Sequence, residues 1–143
     1  MNLTETEIKD CYIVEWDEFM DERGVFTVPF NVDEFNLQTK LDFKIVQENE
    51  SMSIKNVVRG LHFQKQPYEQ AKLVRCTTGE VTDVIVDMRN ATHPLPYSQI
   101  MTSATLANLA HGFCFAATPC ASMVYSVFPG HPGVLVVACC FRW

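Results

Sequence analysis

The chain has 143 residues and a formal net charge of −6, with 48% hydrophobic and 20% charged residues. A chain of this length can bury a core of its own, and it predicts a single domain over residues 1–143. The acidic balance argues against nucleic acid as a partner, because binding to phosphates needs a surplus of Lys and Arg.

The sequence predicts neither secretion nor a membrane span. The first seven residues are acidic and lack the pattern of a signal peptide. The longest apolar run, at 134–141, is too short to cross a bilayer as a helix. We therefore expect a cytoplasmic protein without a membrane partner. Its six cysteines include no Cys-x-x-Cys pair, which favours reduced thiols over disulfides or structural zinc.

Strand-like segments dominate the chain, and Gly and Pro residues mark the turns between them. One short helix is predicted at 32–37, where Asn31 can cap the first turn and Asp33 and Glu34 suit the helix dipole. Many short strands with regular turns predict an all-β sandwich or barrel. In chain order, the predicted strands cover residues 26–30, 43–47, 56–61, 72–76, 81–87, 121–127 and 134–141.

Charged residues interrupt several of these strands. Because strand positions alternate between two faces, Lys72 and Val74 should share one face, and Arg75 and Thr77 the other. A charged side chain that points among apolar residues is costly unless it has a partner or a function. The region from 56 to 87 is therefore predicted to carry a functional site.

Three motifs run through this region: Arg-Gly-Leu-His-Phe-Gln at 59–64, Ala-Lys-Leu-Val-Arg at 71–75 and Gly-Glu-Val-Thr-Asp-Val at 79–84. From about Asp21 to Arg89 the chain resembles the dTDP-4-dehydrorhamnose 3,5-epimerase family. The resemblance implies a cupin, or double-stranded β-helix jelly roll, without a metal or another cofactor. It also implies epimerisation at C3, C5 or both of a dTDP-4-keto-6-deoxy-hexose in deoxysugar biosynthesis.

The resemblance gives four residues catalytic roles. His62 would remove the proton beside the ketone, a task that suits an imidazole. Lys72 would stabilise the enolate oxygen, with Asp83 as its counter-charge. Tyr125 would return a proton on the opposite face of the sugar. Taken without the resemblance, each residue has an ordinary alternative: a core His, a surface Lys, an Asp near a turn and a packed Tyr.

The resemblance also implies a binding set for the nucleotide sugar. Two arginines would hold the diphosphate by charge-assisted hydrogen bonds, a Phe would contact the thymine, and three polar residues would complete the pocket. In the family the segment with the first Arg and the Phe reaches the neighbouring subunit, which implies a homodimer. The two arginines are Arg23 and Arg59, the Phe is Phe26, and the three polar residues are Gln47, Asn49 and His111.

The sequence departs from the family pattern in two places. Val28 stands where the family has a Glu, which changes the pocket. The family's Ile-Arg-Trp-Asp motif supplies an Asp that pairs with the catalytic His, whereas this sequence ends at Arg142-Trp143, after a shortened stretch at 90–108. The resemblance therefore predicts weak turnover, and a non-catalytic sugar-nucleotide-binding cupin is the alternative.

A metal-dependent cupin is a second alternative. Such cupins carry His-x-His, four further residues and a Glu, with another His on a later strand. His62, Glu69 and His111 match this spacing, but Gln64 stands in place of the second His. An amide is a poor ligand for the metals of such sites, so we predict no metal.

Overall fold

The computed structural model describes residues 1–54, 56–62, 64 and 67–87, together with the backbone of four later strands. Within these residues the chain forms twelve strands and one helix. The helix is α1 (Val32–Thr39). The strands are β1 (Asn2–Glu5), β2 (Cys11–Glu15), β3 (Glu18–Asp21), β4 (Gly24–Thr27), β5 (Gln47–Ser53), β6 (Val58–His62), β7 (Ala71–Thr78), β8 (Glu80–Asp87), β9 (Met101–Ala107), β10 (Phe113–Ala116), β11 (Cys120–Ser126) and β12 (Val134–Phe141).

These strands form two antiparallel sheets and a separate hairpin. The larger sheet has the order β1-β2-β10-β7-β12-β5, and the smaller has the order β6-β11-β8-β9. From β5 to β8 the chain passes alternately between the two sheets, so each connection crosses from one layer to the other. The hairpin of β3 and β4 pairs with neither sheet among the described strands. This arrangement confirms the predicted all-β sandwich.

The helix begins where the sequence predicts. The Asn31 side-chain oxygen accepts hydrogen bonds from the backbone N–H groups of Asp33 and Glu34, each at 3.1 Å. Two of the free donors of the first turn are thereby satisfied. The helix continues to Thr39, two residues past the prediction, and ends at Lys40 with a left-handed φ of 63°.

One face of the larger sheet packs beneath this helix. Phe35 is fully buried, and its ring lies 5.2 Å from that of Phe43 and 6.0 Å from that of Tyr12. Ala71 and Leu73 of β7 belong to the same buried cluster. Because side chains alternate along a strand, Lys72 lies on the opposite face, as predicted.

Two predicted strands are wrong. Residues 43–46 form no strand, because the backbone of Phe43 forms hydrogen bonds with a side chain instead of with a neighbouring strand. The Phe43 N–H donates to Asn36 Oδ1 and the Phe43 carbonyl accepts from Asn36 Nδ2, both at 2.9 Å. The strand predicted at 26–30 instead ends at Thr27 as part of β4, and Phe30 packs its ring against Phe35 at 5.3 Å.

The longer apolar strands are confirmed, whereas shorter or more polar ones were missed. β7 and β8 contain the predicted segments 72–76 and 81–87, and β12 has the predicted bounds. Six strands were not predicted: β1, β2, β3, β5, β9 and β10. Within the described residues, no helix is long and apolar enough to cross a bilayer. The single domain over 1–143 and the cytoplasmic location stay predictions.

Candidate functional site

The inner face of the larger sheet carries a polar row. Gln47 and Lys72 both pair with Cys140, from opposite sides of β12. Residues directly opposite each other in an antiparallel ladder project to the same face, so Gln47 and Lys72 share one, with backbones about 10 Å apart. Asn49 lies two positions along β5, and its Oδ1 accepts a hydrogen bond from Gln47 Nε2 at 2.6 Å. This face lies opposite the cluster beneath the helix.

The smaller sheet presents a second polar set. Arg59 and Asp83 both pair with Val124 of β11, whereas His62 and Ile85 both pair with Ser122. The same argument places Arg59 and His62 on the face of Asp83 and Ile85. Asp83 and Ile85 are 3% and 2% exposed, so this face is the inner one. His62 and Arg59 are exposed at its open side.

A β-bulge puts Arg59 and His62 on the same face. They are three residues apart, and an undistorted strand would direct them to opposite faces. The register between β6 and β11 shifts between Ser122 and Val124, so that two residues of β6 stand where β11 has one. Gly60 lies in this bulge with a φ of 126°, a conformation that residues with a side chain rarely adopt.

Arg59 also links the two sheets. Its Nε donates a hydrogen bond to Ser53 Oγ at 2.9 Å, and its Nη2 donates to the Met52 carbonyl at 3.4 Å. Ser53 is buried and lies on β5 at the alternation of Gln47 and Asn49. The guanidinium therefore reaches from the smaller sheet to the polar row of the larger one, so both sets border the same space.

Lys72 and Asp83 come from different sheets. Lys72 is half-buried on β7, and Asp83 is buried on β8. Among the ion pairs formed within the described residues, none involves Lys72. The counter-charge role assigned to Asp83 stays a prediction.

Arg23 and Phe26 lie on the hairpin. The rings of Phe19 and Phe26 face each other across β3 and β4, with centroids 6.4 Å apart. Together with Gly24, Val25 and the ion pair described next, they line an open depression of about 300 Å³. Every residue of this lining belongs to the hairpin. Within one chain, Arg23 and Phe26 thus line a depression whose described lining includes no residue of the two sheets.

An ion pair orders the hairpin turn. Asp21 Oδ1 accepts from the Arg23 N–H at 2.8 Å, and Oδ2 accepts from Arg23 Nε at 3.0 Å and also from Nη2. These hydrogen bonds to the side chain and the backbone of Arg23 lower the pKa of the Asp21 carboxyl. The sequence prediction assigned Arg23 to a diphosphate and gave Asp21 no role, although an Asp side chain often accepts a hydrogen bond from the backbone two residues on in a turn.

Two predicted residues lie in the later part of the chain. Tyr125 belongs to β11, and its backbone pairs with Val58 of β6 and Thr82 of β8. It is therefore on the strand between those that carry His62 and Asp83, but it is adjacent to Val124, so its register position belongs to the other face of the sheet. His111 lies outside the described residues. The metal alternative of His62, Glu69 and His111 consequently stays a hypothesis; within the described part of the chain, no three His, Cys, Asp or Glu side chains are grouped for a metal ion.

Residues 5–129 match the family described as dTDP-4-dehydrorhamnose 3,5-epimerase. The chain is 42% identical over 123 residues to the dTDP-4-dehydrorhamnose 3,5-epimerase of Shigella flexneri, covering 80% of this chain and 67% of that protein. It is 51% identical over 89 residues to that of Escherichia coli, covering 62% of this chain and 48% of that protein. Over 89 residues it is 38% identical to the dTDP-4-dehydrorhamnose 3-epimerase of Streptomyces niveus, covering 62% of this chain and 43% of that protein. The chain thus spans between about two fifths and two thirds of the length of these relatives.

Solved structures agree with this match. The dTDP-4-dehydrorhamnose 3,5-epimerase of Elizabethkingia anophelis superposes with a TM-score of 0.86 and 33% identity, over 100% of this chain and 75% of that one. The dTDP-6-deoxy-D-glucose-3,5-epimerase of Legionella pneumophila, in complex with dTDP-4-keto-L-rhamnose, gives a TM-score of 0.83 and 28% identity, over 99% and 72%. These likenesses confirm the predicted cupin jelly roll.

Proposed function

The chain belongs to the dTDP-4-dehydrorhamnose 3,5-epimerase family, and on that basis we propose that it epimerises a dTDP-4-keto-6-deoxy-hexose in deoxysugar biosynthesis. The observation that carries the proposal is the shared inner face of Arg59 and His62. The proposed substrate has a diphosphate, which suits a guanidinium, and an acidic proton beside a ketone, which suits an imidazole base. The inverted carbon is C3, C5 or both.

The reaction needs only proton movement. His62 takes the proton from the carbon beside the ketone, and the electron pair of the broken C–H bond forms the enolate. Lys72, from the facing sheet, stabilises the negative oxygen, with Asp83 as its counter-charge. The family resemblance gives Tyr125 the role of returning a proton to the opposite face of the same carbon, although its register position on β11 lies on the other face of the sheet. The substrate keeps its electrons throughout, so the chemistry requires no redox cofactor.

Polar residues at the open side of the site would hold the nucleotide. Arg59 is tied to Ser53 through Nε, which fixes the direction of its guanidinium before a ligand arrives. Gln47 and Asn49 are exposed and hydrogen-bonded to each other, so they offer amide groups on the same face of the sheet as Lys72. The proposed arrangement places the diphosphate at Arg59 and the sugar between His62 and Lys72. His111 is proposed to complete the pocket.

Replacement of His62 by Ala tests this proposal. We expect deuterium exchange from D₂O into a dTDP-4-keto-6-deoxy sugar to fall about 10²–10⁴-fold, because the general base is lost. Calorimetry should show dTDP affinity close to that of the wild type, since the diphosphate contacts remain. Leu37→Ala, which removes an exposed side chain from the helix on the other face of the larger sheet, is the matched control and should exchange normally. Near wild-type exchange in His62→Ala would make His62 a structural residue and overturn the mechanism.

We further propose a homodimer in which the hairpin of one copy adds to β5 of the other. Among the described strands, β5 is one of the two edge strands of the larger sheet and has β12 as its single neighbour. The hairpin exposes Phe26 and Met20, with exposed fractions of 65% and 79%. An open strand edge and an apolar hairpin both favour association with another chain. This pairing would bring Arg23 and Phe26 beside Gln47, and so complete the nucleotide site.

A further inference from the structure

The bulge in β6 joins two residues that the proposed reaction uses differently. Arg59 is assigned to the diphosphate and His62 to the proton. Their common face depends on the extra residue between them, since Gly60 and Leu61 together occupy the place opposite Met123. The tie from Arg59 to Ser53 of the other sheet is an independent observation that Arg59 points inward.

We propose that Gly60 is a positioning residue that aligns the anion-binding Arg59 with the proton-abstracting His62. This inference rests on the proposed function and adds a structural requirement to it. An L-residue at a φ of 126° is strained, so a side chain at position 60 should shift the bulge or remove it. If the bulge is lost and the strand becomes regular, one of the two side chains must leave the inner face.

The register between β6 and β11 makes deletion of Gly60 an informative variant. Deletion of Gly60 leaves Leu61 alone opposite Met123, while Arg59 and His62 can keep their present partners Val124 and Ser122. The shortened strand needs no positive φ and still directs both side chains to one face. We therefore expect the deletion to preserve what the single substitution Gly60→Ala destroys.

The experiment compares three changes at position 60 in the full chain. They are Gly60→Ala, replacement of Gly60 by D-alanine through ligation at Cys76, and deletion of Gly60. A D-residue adopts a φ of 126° without strain, because its preferred backbone angles are the mirror image of those of an L-residue. Gly79→Ala is the matched control, since Gly79 also has a positive φ, of 82°, but lies in the turn between β7 and β8.

Three quantities are measured for each variant: solvent deuterium exchange into a dTDP-4-keto-6-deoxy sugar, dTDP affinity, and the nuclear Overhauser effect between the Arg59 and Ser53 side chains. Gly60→Ala should lower exchange about 10²-fold, the scale expected for a catalytic group displaced by about 1 Å. It should also weaken the Arg59–Ser53 signal. The D-alanine and deletion variants should keep the signal and exchange faster than Gly60→Ala, and Gly79→Ala should exchange like the wild type.

Two results would overturn the inference. One is normal exchange in Gly60→Ala, and the other is exchange in the D-alanine and deletion variants that is as slow as in Gly60→Ala. If Gly60→Ala does not fold, the deletion variant decides, because retained exchange supports the inference and lost exchange refutes it. Absence of exchange in the wild type would refute the proposed function. In that case the Arg59–Ser53 signal still tests whether Gly60 positions Arg59.

Discussion

Two aromatic clusters of similar composition have opposite surroundings. On the buried side of α1, Phe35 is 0% exposed and packs against Phe30 and Phe43. On the hairpin, Phe19 and Phe26 are 60% and 65% exposed, although they also contact each other. The first cluster has a helix on one side and a sheet on the other, whereas the hairpin has no covering element among the described residues. Apolar sequence alone therefore does not distinguish the core from a surface that a partner completes.

The largest effect should come from the covered cluster. Phe35→Ala removes a buried ring and leaves a cavity between helix and sheet, so we expect the free energy of unfolding to fall by about 3–5 kcal/mol. The matched control is Leu37→Ala, on the exposed side of the same helix, which should change stability by less than about 0.5 kcal/mol. Urea denaturation measures both. Equal losses in the two variants would contradict the assignment of Phe35 to the core.

A charge on the hairpin should break the dimer without unfolding the chain. In Met20→Glu a carboxylate would have to be buried against the second copy, so we expect monomers in sedimentation equilibrium at concentrations where the wild type is dimeric. Leu37→Glu carries the same charge on another exposed apolar residue and should stay dimeric. Dissociation in both variants, or in neither, would refute the hairpin as the contact.

The smallest effect concerns the pH dependence of the hairpin turn. The Asp21–Arg23 pair lowers the pKa of the Asp21 carboxyl, so its stabilising contribution is present above the ordinary Asp value of about 3.9. The contribution is lost as the pH falls through the lowered folded value. A carbon-detected NMR titration should give Asp21 a pKa below that ordinary value. Arg23→Ala should raise the pKa of Asp21 back towards it. A titration of Asp21 that does not change in Arg23→Ala would show that the pair does not form in solution.

Sequence patterns predicted the local features of the fold well. The cap at Asn31 depends on neighbouring residues, and the apolar runs of β7, β8 and β12 are strong strand signals. β5 was missed because its sequence, Gln-Glu-Asn-Glu-Ser-Met-Ser, is polar and largely exposed at a sheet edge. Phe43 is wrongly predicted in a strand because its apolar neighbours give no sign of the hydrogen bond to Asn36, seven residues earlier.

The site was predicted less completely than the fold. Resemblance to a family supplied His62 and Lys72, but strand alternation would have separated Arg59 from His62. Gly60 was the available signal, since an isolated Gly within a strand often marks a bulge. Ser53 carries no comparable signal, because its bond to Arg59 joins two sheets that only the folded chain brings together.

We propose above all that this chain moves a proton beside the ketone of a nucleotide-linked sugar. The most direct test incubates the wild-type protein with a dTDP-4-keto-6-deoxy sugar in D₂O and follows deuterium at C3 and C5 by NMR and mass spectrometry. We expect deuterium at one or both carbons, and exchange about 10²–10⁴-fold slower with His62→Ala. Tight dTDP binding without deuterium at either carbon in the wild type would contradict the claim and favour a protein that binds the sugar nucleotide without transforming it.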